Sequence, residues 1–353
     1  MSKDISQQLQ SQVSDAYQNK TALKIKSGNS KDFYGYAIEA DELDVSNHQG
    51  IINYEPTELV ITARAGTRLS EIKSALNESH QILAFEPPSF SESATIGGTV
   101  ACNLSGPQRA YSGAARDFVL GCHIINGKAE KLKFGGQVMK NVAGYDASRL
   151  MCGAMGGLGV ILDVSLKVLP KPQTEITLCF QCDINQAIDY MHKWVKQSFP
   201  ISASCFTQSK LFIRLSGNNS SVNAAQKKLG GEAINNSEAF WLSITEQSYD
   251  FFKTEKPIWR LSLASNAAPL KLSGDTLYEW GGSLRWLRSD ETEEKIRTTI
   301  SALGGHATLF KNNTINAAPF HPLSTGMLQI HKNLKNAFDP ENILNPHRMY
   351  KEF

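Results

Sequence analysis

The chain has 353 residues, 41% of them hydrophobic and 20% charged, with a formal net charge of only +2. That length favours two domains, each able to bury a core, and the balanced charge excludes the electrostatic footprint of a nucleic-acid binder. No apolar run approaches a membrane span, and the N-terminus lacks the apolar core of a secretory signal, so a cytoplasmic chain is expected, meeting the inner face of the cell membrane only through partners.

The opening MSKDISQQLQSQVSDAYQNK carries Ile5, Leu9, Val13, Ala16 and Tyr17 at helical spacing and reads as an amphipathic helix. A short strand from Ala22 to Lys26 then breaks at Ser27, Gly28, Asn29 and Ser30. That turn has the small residues of an anion nest, and equally those of an ordinary turn. Strands follow at Leu43–Ser46 and Leu59–Ala63. A helix follows with Thr67 as its N-cap and Leu69, Ile72, Ala75 and Leu76 on its inner face, and then a strand at Gln81–Phe85. Strand, helix, strand predicts a βαβ unit and an α/β domain.

From Glu86 to Val160 the chain becomes glycine-rich: 13 of its 26 glycines lie between Gly97 and Gly159. Interleaved apolar residues make this a poor linker. It reads as a scaffold whose loops pass close to a large ligand, glycine being suited to close backbone approach. Within it, Asp117–Ile125 and Leu132–Phe134 predict a hairpin turning at Asn126-Gly127. A short helix is expected at Arg149–Cys152 and a strand at Val160–Leu169. Pro170-Lys171-Pro172 closes the first domain, residues 1–172.

The second domain, 173–337, reads as a helix-covered, mostly antiparallel α+β cap. Its elements begin with the strand ITLCF and a helix around Ile184–Val195. A hairpin around Ser204–Phe206 and Leu211–Leu215 and a helix at Val222–Leu229 come next. Then follow strand Trp259–Leu263, helix Asp275–Trp280, strand Ser283–Leu287, helix Glu291–Leu303 and strand His306–Phe310. Residues 338–353 form a tail with the turn residues of an ordered loop. Among the six cysteines, Cys179 and Cys182 make a CxxC. They lie on a strand, where positions three apart face opposite sides, and no second pair follows, so no metal is expected.

There is no Walker A run, no G-x-G-x-x-G between a strand and a helix, no HExxH and no nucleophile elbow. Instead, Pro87-Pro88-Ser89, Ala94-Thr95-Ile96-Gly97-Gly98, Tyr111-Ser112-Gly113 and Arg116-Asp117 appear in order. Lys140-Asn141-Val142-Ala143-Gly144-Tyr145-Asp146 and Gly156-Gly157-Leu158-Gly159-Val160 follow. These blocks resemble the FAD-binding signature of the vanillyl-alcohol oxidase/p-cresol methylhydroxylase (PCMH) flavoproteins. FYG, NYEPTELVITARAGT, GGSLRWL, GGHATLF and NPHRMY extend the likeness to the FAD-binding E subunits of bacterial glycolate oxidases.

The resemblance implies a PCMH-type FAD-binding domain of two subdomains, followed by the α+β cap, with the tail returning to the flavin. It implies FAD contacts at Pro87, Pro88, Ala94, Thr95, Gly97, Gly98, Asn103, Tyr111, Ser112, Gly113, Gly144, Tyr145, Gly159, Val160 and Ile161. The Ser27–Ser30 turn is expected to take the pyrophosphate. Asn345 either reaches the isoalloxazine or caps a turn, and Arg116 with Asp117 either pins a loop at the site or forms an internal ion pair. Relatives that attach FAD covalently use a histidine in the first phosphate loop; here Ser-Gly-Asn-Ser stands there, so a non-covalent cofactor is expected.

Oxidising a 2-hydroxy acid needs a base for the hydroxyl proton, a cation for the carboxylate and the flavin. The catalytic relatives carry H-x-x-D-G-N-x-H, which is absent here; the candidates are His306, Arg285 and Arg288, with His347 beside them. The resemblance implies partners, a larger FAD subunit and an iron–sulfur subunit of glycolate oxidase, and glycolate going to glyoxylate. The alternatives are a self-sufficient FAD-dependent dehydrogenase for glycolate or D-lactate, and a non-catalytic scaffold subunit.

Overall fold

The computed structural model describes residues 3–136, 147–311 and 317–353. The chain forms two compact units, one of Met1–Leu104, Ala114–Pro170 and Pro322–Phe353, the other of Ser105–Gly113 and Lys171–His321.

In chain order the first unit supplies α1 (Ser6–Asn19), β1 (Leu23–Lys26), β2 (Asp41–Asp44), β3 (Ile51–Glu55), β4 (Val60–Arg64), α2 (Leu69–Glu78), β5 (Gln81–Ile82) and α3 (Ile96–Cys102). After an excursion containing α4 (Arg109–Ser112), which belongs to the second unit, it continues with α5 (Ala115–Phe118), β6 (Val119–Ile125), β7 (Lys131–Gly135), β8 (Val160–Lys167) and β9 (Leu169–Pro170). Helix α1 forms where the spacing predicts it, burying Leu9, Val13 and Ala16 against β1, β2 and the tail residues Ile343 and Leu344. Strands β3-β4-β8-β6-β7 make an antiparallel sheet whose core is closed by Leu69, Ile72 and Leu76 of α2 and by Ile96 and Val100 of α3. The β6–β7 hairpin forms as expected, although Asp117 and Phe118 end a helical turn instead of opening the strand.

Two local expectations fail here. The parallel βαβ unit does not form, because β5 is only two residues long and pairs antiparallel with β9, away from β4. The parallel pair in the unit is β1 with β2. Thr67 does not cap α2 either; its hydroxyl accepts the Gly50 N–H at 2.8 Å, and the helix starts two residues later.

The second unit contains β10 (Thr174–Gln181), α6 (Ile184–Val195), β11 (Ile201–Thr207), β12 (Lys210–Gly217), α7 (Asn219–Leu229), β13 (Glu232–Ala233), α8 (Ser237–Thr245), β14 (Ile258–Ser262), β15 (Asp275–Glu279), β16 (Leu284–Arg288), α9 (Glu293–Ala302) and β17 (His306–Lys311). One eight-stranded antiparallel sheet, ordered β13-β10-β12-β11-β15-β16-β14-β17, carries them. Asp183 starts α6 with a reciprocal capping box, its carboxylate accepting the Gln186 N–H while Gln186 accepts that of Asp183. Helices α6 and α7 bury Ala187, Met191, Val222 and Ala225, and α9 buries Ile296 and Ile300. The α+β cap therefore stands, but Asp275–Trp280 is not a helix. Thr276, Leu277 and Tyr278 extend as a strand within the sheet, between β11 and β16.

The linear division at 172 and 337 is not the one the fold makes. Residues 105–113 join the second unit. The last helix, α10 (Thr325–Phe338), joins the first, where Lys335 is buried and Phe338 packs on Phe134 at 6.1 Å.

Candidate functional site

The turn after β1 and the loop entering α3 are tied together at their tips. Ser27 Oγ and Thr95 Oγ1 lie 3.0 Å apart, and Ser93 Oγ donates to the Gly28 carbonyl. The approach demands glycine at position 28, since a Cβ there would collide with the Ser93 carbonyl. Thr95 also caps α3, accepting the Gly98 N–H at 3.3 Å. A Cβ on Gly98 would meet only Thr95 Oγ1, at 3.4 Å, so this position keeps open space beside it.

These loops form one wall of a solvent-open cleft in the first unit, with about 830 Å³ of space in and before it. Ser27, Gly28, Asn29, Ser30, Thr95, Gly97, Gly98, Gly159, Ile161 and Asn345 all line it, so much of the expected cofactor set does converge. Ile25, Ile38, Val45 and Ala65 add apolar surface. The charged lining is three cations, Lys24, Lys31 and Arg348, against one carboxylate, Asp32.

Lys31 is 6% exposed. Its ammonium donates to Ser30 Oγ at 3.2 Å and to the Ser89 carbonyl at 3.3 Å, 5.6 Å from the Phe90 ring. Arg348, on the returning tail, donates to the Tyr36 carbonyl at 2.6 Å and the Asp32 carbonyl at 2.9 Å, with the Asp32 carboxylate at 3.2 Å. Burial pushes the Cys102 thiol up, an effect the Lys31 and Arg348 charges oppose. Sequence reasoning missed Lys31 and Arg348 as residues of the cleft. The signals were present: one directly follows the Ser-Gly-Asn-Ser turn and the other stands in NPHRMY.

Asn345 lines the cleft with its amide engaged on both ends. Oδ1 accepts the Ile25 N–H at 2.7 Å and Nδ2 donates to the Met155 carbonyl at 2.6 Å. It is a strut between β1 and the glycine segment. A second cavity, also open to solvent, has Asn345 and Arg348 in its wall as well, together with Leu158, Leu334, Lys335 and Phe353.

The remaining expected cofactor residues that the structure describes do not line the cleft. Ala94 is buried beside Gly28, and Val160 is buried in the core under α1. Asn103 ends α3 in a left-handed conformation, and its side chain accepts the Arg116 N–H at 3.2 Å. Pro87 and Pro88 are absent from the lining. Tyr111, Ser112 and Gly113 belong to the second unit. There the Tyr111 hydroxyl donates to Ser204 Oγ at 3.1 Å and Ser112 Oγ to the Gln108 carbonyl at 3.1 Å, while Gly113 ends α4 with φ +116°. Gly144 and Tyr145, with the rest of Lys140–Asp146, lie outside the described residues. Asp117 takes the Ala114 N–H at 2.9 Å and stands 3.6 Å from Arg149, with Arg116 at 3.9 Å, so the pair is chiefly internal structure.

The expected catalytic set does not assemble. Arg285 is fully buried, and its three nitrogens donate to the carbonyls of Gly282 (3.1 Å), Ala268 (2.5 Å) and Ala267. Desolvation lowers its pKa. Arg288 forks onto Asp275 at 2.6 and 3.1 Å. His306 starts the edge strand β17, its pKa lowered by desolvation and then by the Arg260 charge, and its ring is 6.4 Å from that of His321. His347 sits in the tail with φ +61°. None of the four lines either cavity described above. Burial raises the Cys179 and Cys182 thiols, and among the described residues no group of three or more His, Cys, Asp and Glu could hold a metal. No helix among the described residues is long and apolar enough to cross a membrane.

Comparisons with known proteins identify the relatives of the chain. A family model described as "FAD binding domain" matches residues 5–135. Glycolate oxidase subunit GlcE of Escherichia coli is 46% identical over 349 residues, covering 99% of this chain and 98% of that protein. Glycolate oxidase subunit GlcD of Bacillus subtilis is 32% identical over 128 residues, 36% of this chain and 27% of that one. In fold, p-cresol methylhydroxylase superposes with a TM-score of 0.69 at 13% identity, covering 99% of this chain and 88% of that structure. The residues present fit FAD on their own terms: two buried cations suit a dianionic pyrophosphate, open space at Gly98 admits close approach, and apolar walls suit a ring.

Proposed function

The chain belongs to the GlcE family of glycolate oxidase subunits, and from that membership we propose that it is the flavin-holding, electron-relaying subunit of a glycolate-oxidising complex. It has a PCMH-type FAD-binding domain and binds FAD without a covalent bond. The Ser27–Ser30 turn and the Thr95–Gly98 loop would offer backbone N–H groups to the phosphates. Lys31 and Arg348 would neutralise their charge, and Ile25 and Ile161 would shelter apolar parts of the cofactor. When bound, FAD supplies a two-electron acceptor that can also pass electrons on singly. The proposed partners are a larger FAD subunit that handles glycolate and an iron–sulfur subunit that takes the electrons onward. Association with the inner face of the cell membrane would run through them, and the chain itself would be cytoplasmic.

One observation carries the division of labour. A 2-hydroxy acid needs a cation and a base at the flavin, yet Arg285 donates to three carbonyls, Arg288 is bound to Asp275, and neither lines the cleft. That supports a subunit dependent on a partner over a self-contained dehydrogenase for glycolate or D-lactate.

The test is the visible spectrum of the purified chain under anaerobic glycolate. The expected outcome is a flavin spectrum that stays oxidised with glycolate alone and bleaches once the larger subunit is added. Bleaching by the chain alone would overturn the division of labour, and a colourless chain that also refuses added FAD would overturn the cofactor role.

A further inference from the structure

Four hydrogen bonds converge on one buried ion pair beside the cofactor cleft. Lys335 and Asp339 are 6% and 1% exposed, and their charged atoms meet at 2.7 Å. Lys335 Nζ also donates to the Gly157 carbonyl at 2.9 Å and to the Leu344 carbonyl at 2.7 Å. The Asp339 carboxylate accepts the N–H groups of Ile343 at 3.0 Å and Leu344 at 2.7 Å. The pair therefore grips the glycine segment on one side and the returning tail on the other.

The next residue along the tail is Asn345, whose amide fixes Ile25 to Met155, and three further on is Arg348, one of the cleft's cations. A buried pair is seldom retained for stability alone, since its desolvation offsets most of the attraction, and its best-attested use is to specify one arrangement. Here the arrangement specified is the register of the tail. Leu23 bridges Leu344 in parallel, so a slip would swing Asn345 and Arg348 out of the wall.

We propose that Lys335 and Asp339 are positioning residues for the cofactor: they latch residues 343–348 into the cleft wall, and FAD retention is coupled to that latch. The coupling is reciprocal, so bound FAD must in turn hold the tail closed. This rests on the reading that the cleft takes FAD.

The experiment compares wild type, Lys335→Met and the neutral pair Lys335→Met/Asp339→Leu with Ile72→Val, a core change in α2 away from the tail. FAD affinity of the apoprotein is titrated by flavin fluorescence, and amide exchange is followed over residues 340–350 and over β4. Expected for Lys335→Met is about tenfold weaker FAD binding, the factor for a tail docked a tenth of the time. Faster exchange confined to 340–350 should accompany it, while the neutral pair recovers part of both and Ile72→Val leaves the affinity unchanged. In wild type, FAD should slow exchange over 340–350. Unchanged affinity in Lys335→Met, or exchange accelerated equally in β4, would overturn the latch. Failure of wild type to bind FAD would instead overturn the reading beneath it, while the exchange pattern would still judge whether the pair latches the tail.

Discussion

Both units tie buried cations to their own carbonyls and carboxylates, as at Lys335 and Arg348 in the first, yet the two differ in what lies beside those cations. In the first, Lys31 and Arg348 border an open cleft, and the cations outnumber the carboxylate that lines it. In the second, arginines are consumed inside the protein. Arg285 ties three carbonyls together, Arg214 lies against Ser202 and 3.6 Å from Glu175, and Arg297 reaches the carbonyls of Ala307, Ala318 and Phe320. Burial alone thus does not mark a ligand site. What marks one is a buried charge bordering space that a counter-charge can enter. By that measure the first unit is built to receive an anion, whereas the interior of the second is built to hold its own loops.

The hardest blow to this contrast should come from Arg285→Met. It strips the donors from the buried Gly282 carbonyl and from the less buried carbonyls of Ala267 and Ala268, and at roughly 1–3 kcal/mol for an unsatisfied buried group the second unit should lose about 2–3 kcal/mol. Thermal unfolding would report it, and FAD titration should stay at the wild-type value. A variant that melts normally but loses glycolate-dependent turnover in the reconstituted complex would return Arg285 to a substrate role.

Lys31→Met sharpens the other side. Removing a buried cation from the cleft should weaken FAD binding about tenfold, roughly 1.4 kcal/mol. The salt dependence of binding should also flatten, because one screened attraction is gone. Equal affinity and salt response in the variant would place the phosphates elsewhere. The smallest effect is expected from Arg288→Ala. Its partner Asp275 is largely exposed, so the pair contributes about 0–1 kcal/mol and both Tm and FAD affinity should barely move.

Much of the fold was legible because its signals are local. The spacing of Leu9, Val13 and Ala16 betrays α1, and Asn126-Gly127 betrays the hairpin. The small residues Ser27–Ser30 betray a turn that does end in the cleft. What escaped is set by distant neighbours. DTLYEW carries no clear period of its own, and it becomes β15 because β11 and β16 flank it. Helix α10 follows the cap in sequence, so a linear reading assigns it there, yet Lys335 and Phe338 find their partners in Gly157 and Phe134. Arg285 looked like a substrate ligand because an arginine's fate depends on which carbonyls the loop at Ala267 and Ala268 brings within reach, and no window of sequence shows that.

The bond from the Ile25 N–H to Asn345 spans 320 positions, and Leu9, Leu23 and Leu344 share one core. During synthesis, therefore, the opening strand waits for almost the whole chain to emerge before its edge is covered. Closing so long a loop is slow more than it is costly, since the entropy grows only with the logarithm of length. A copy lacking residues 343–348 leaves the same strand edge exposed to other chains.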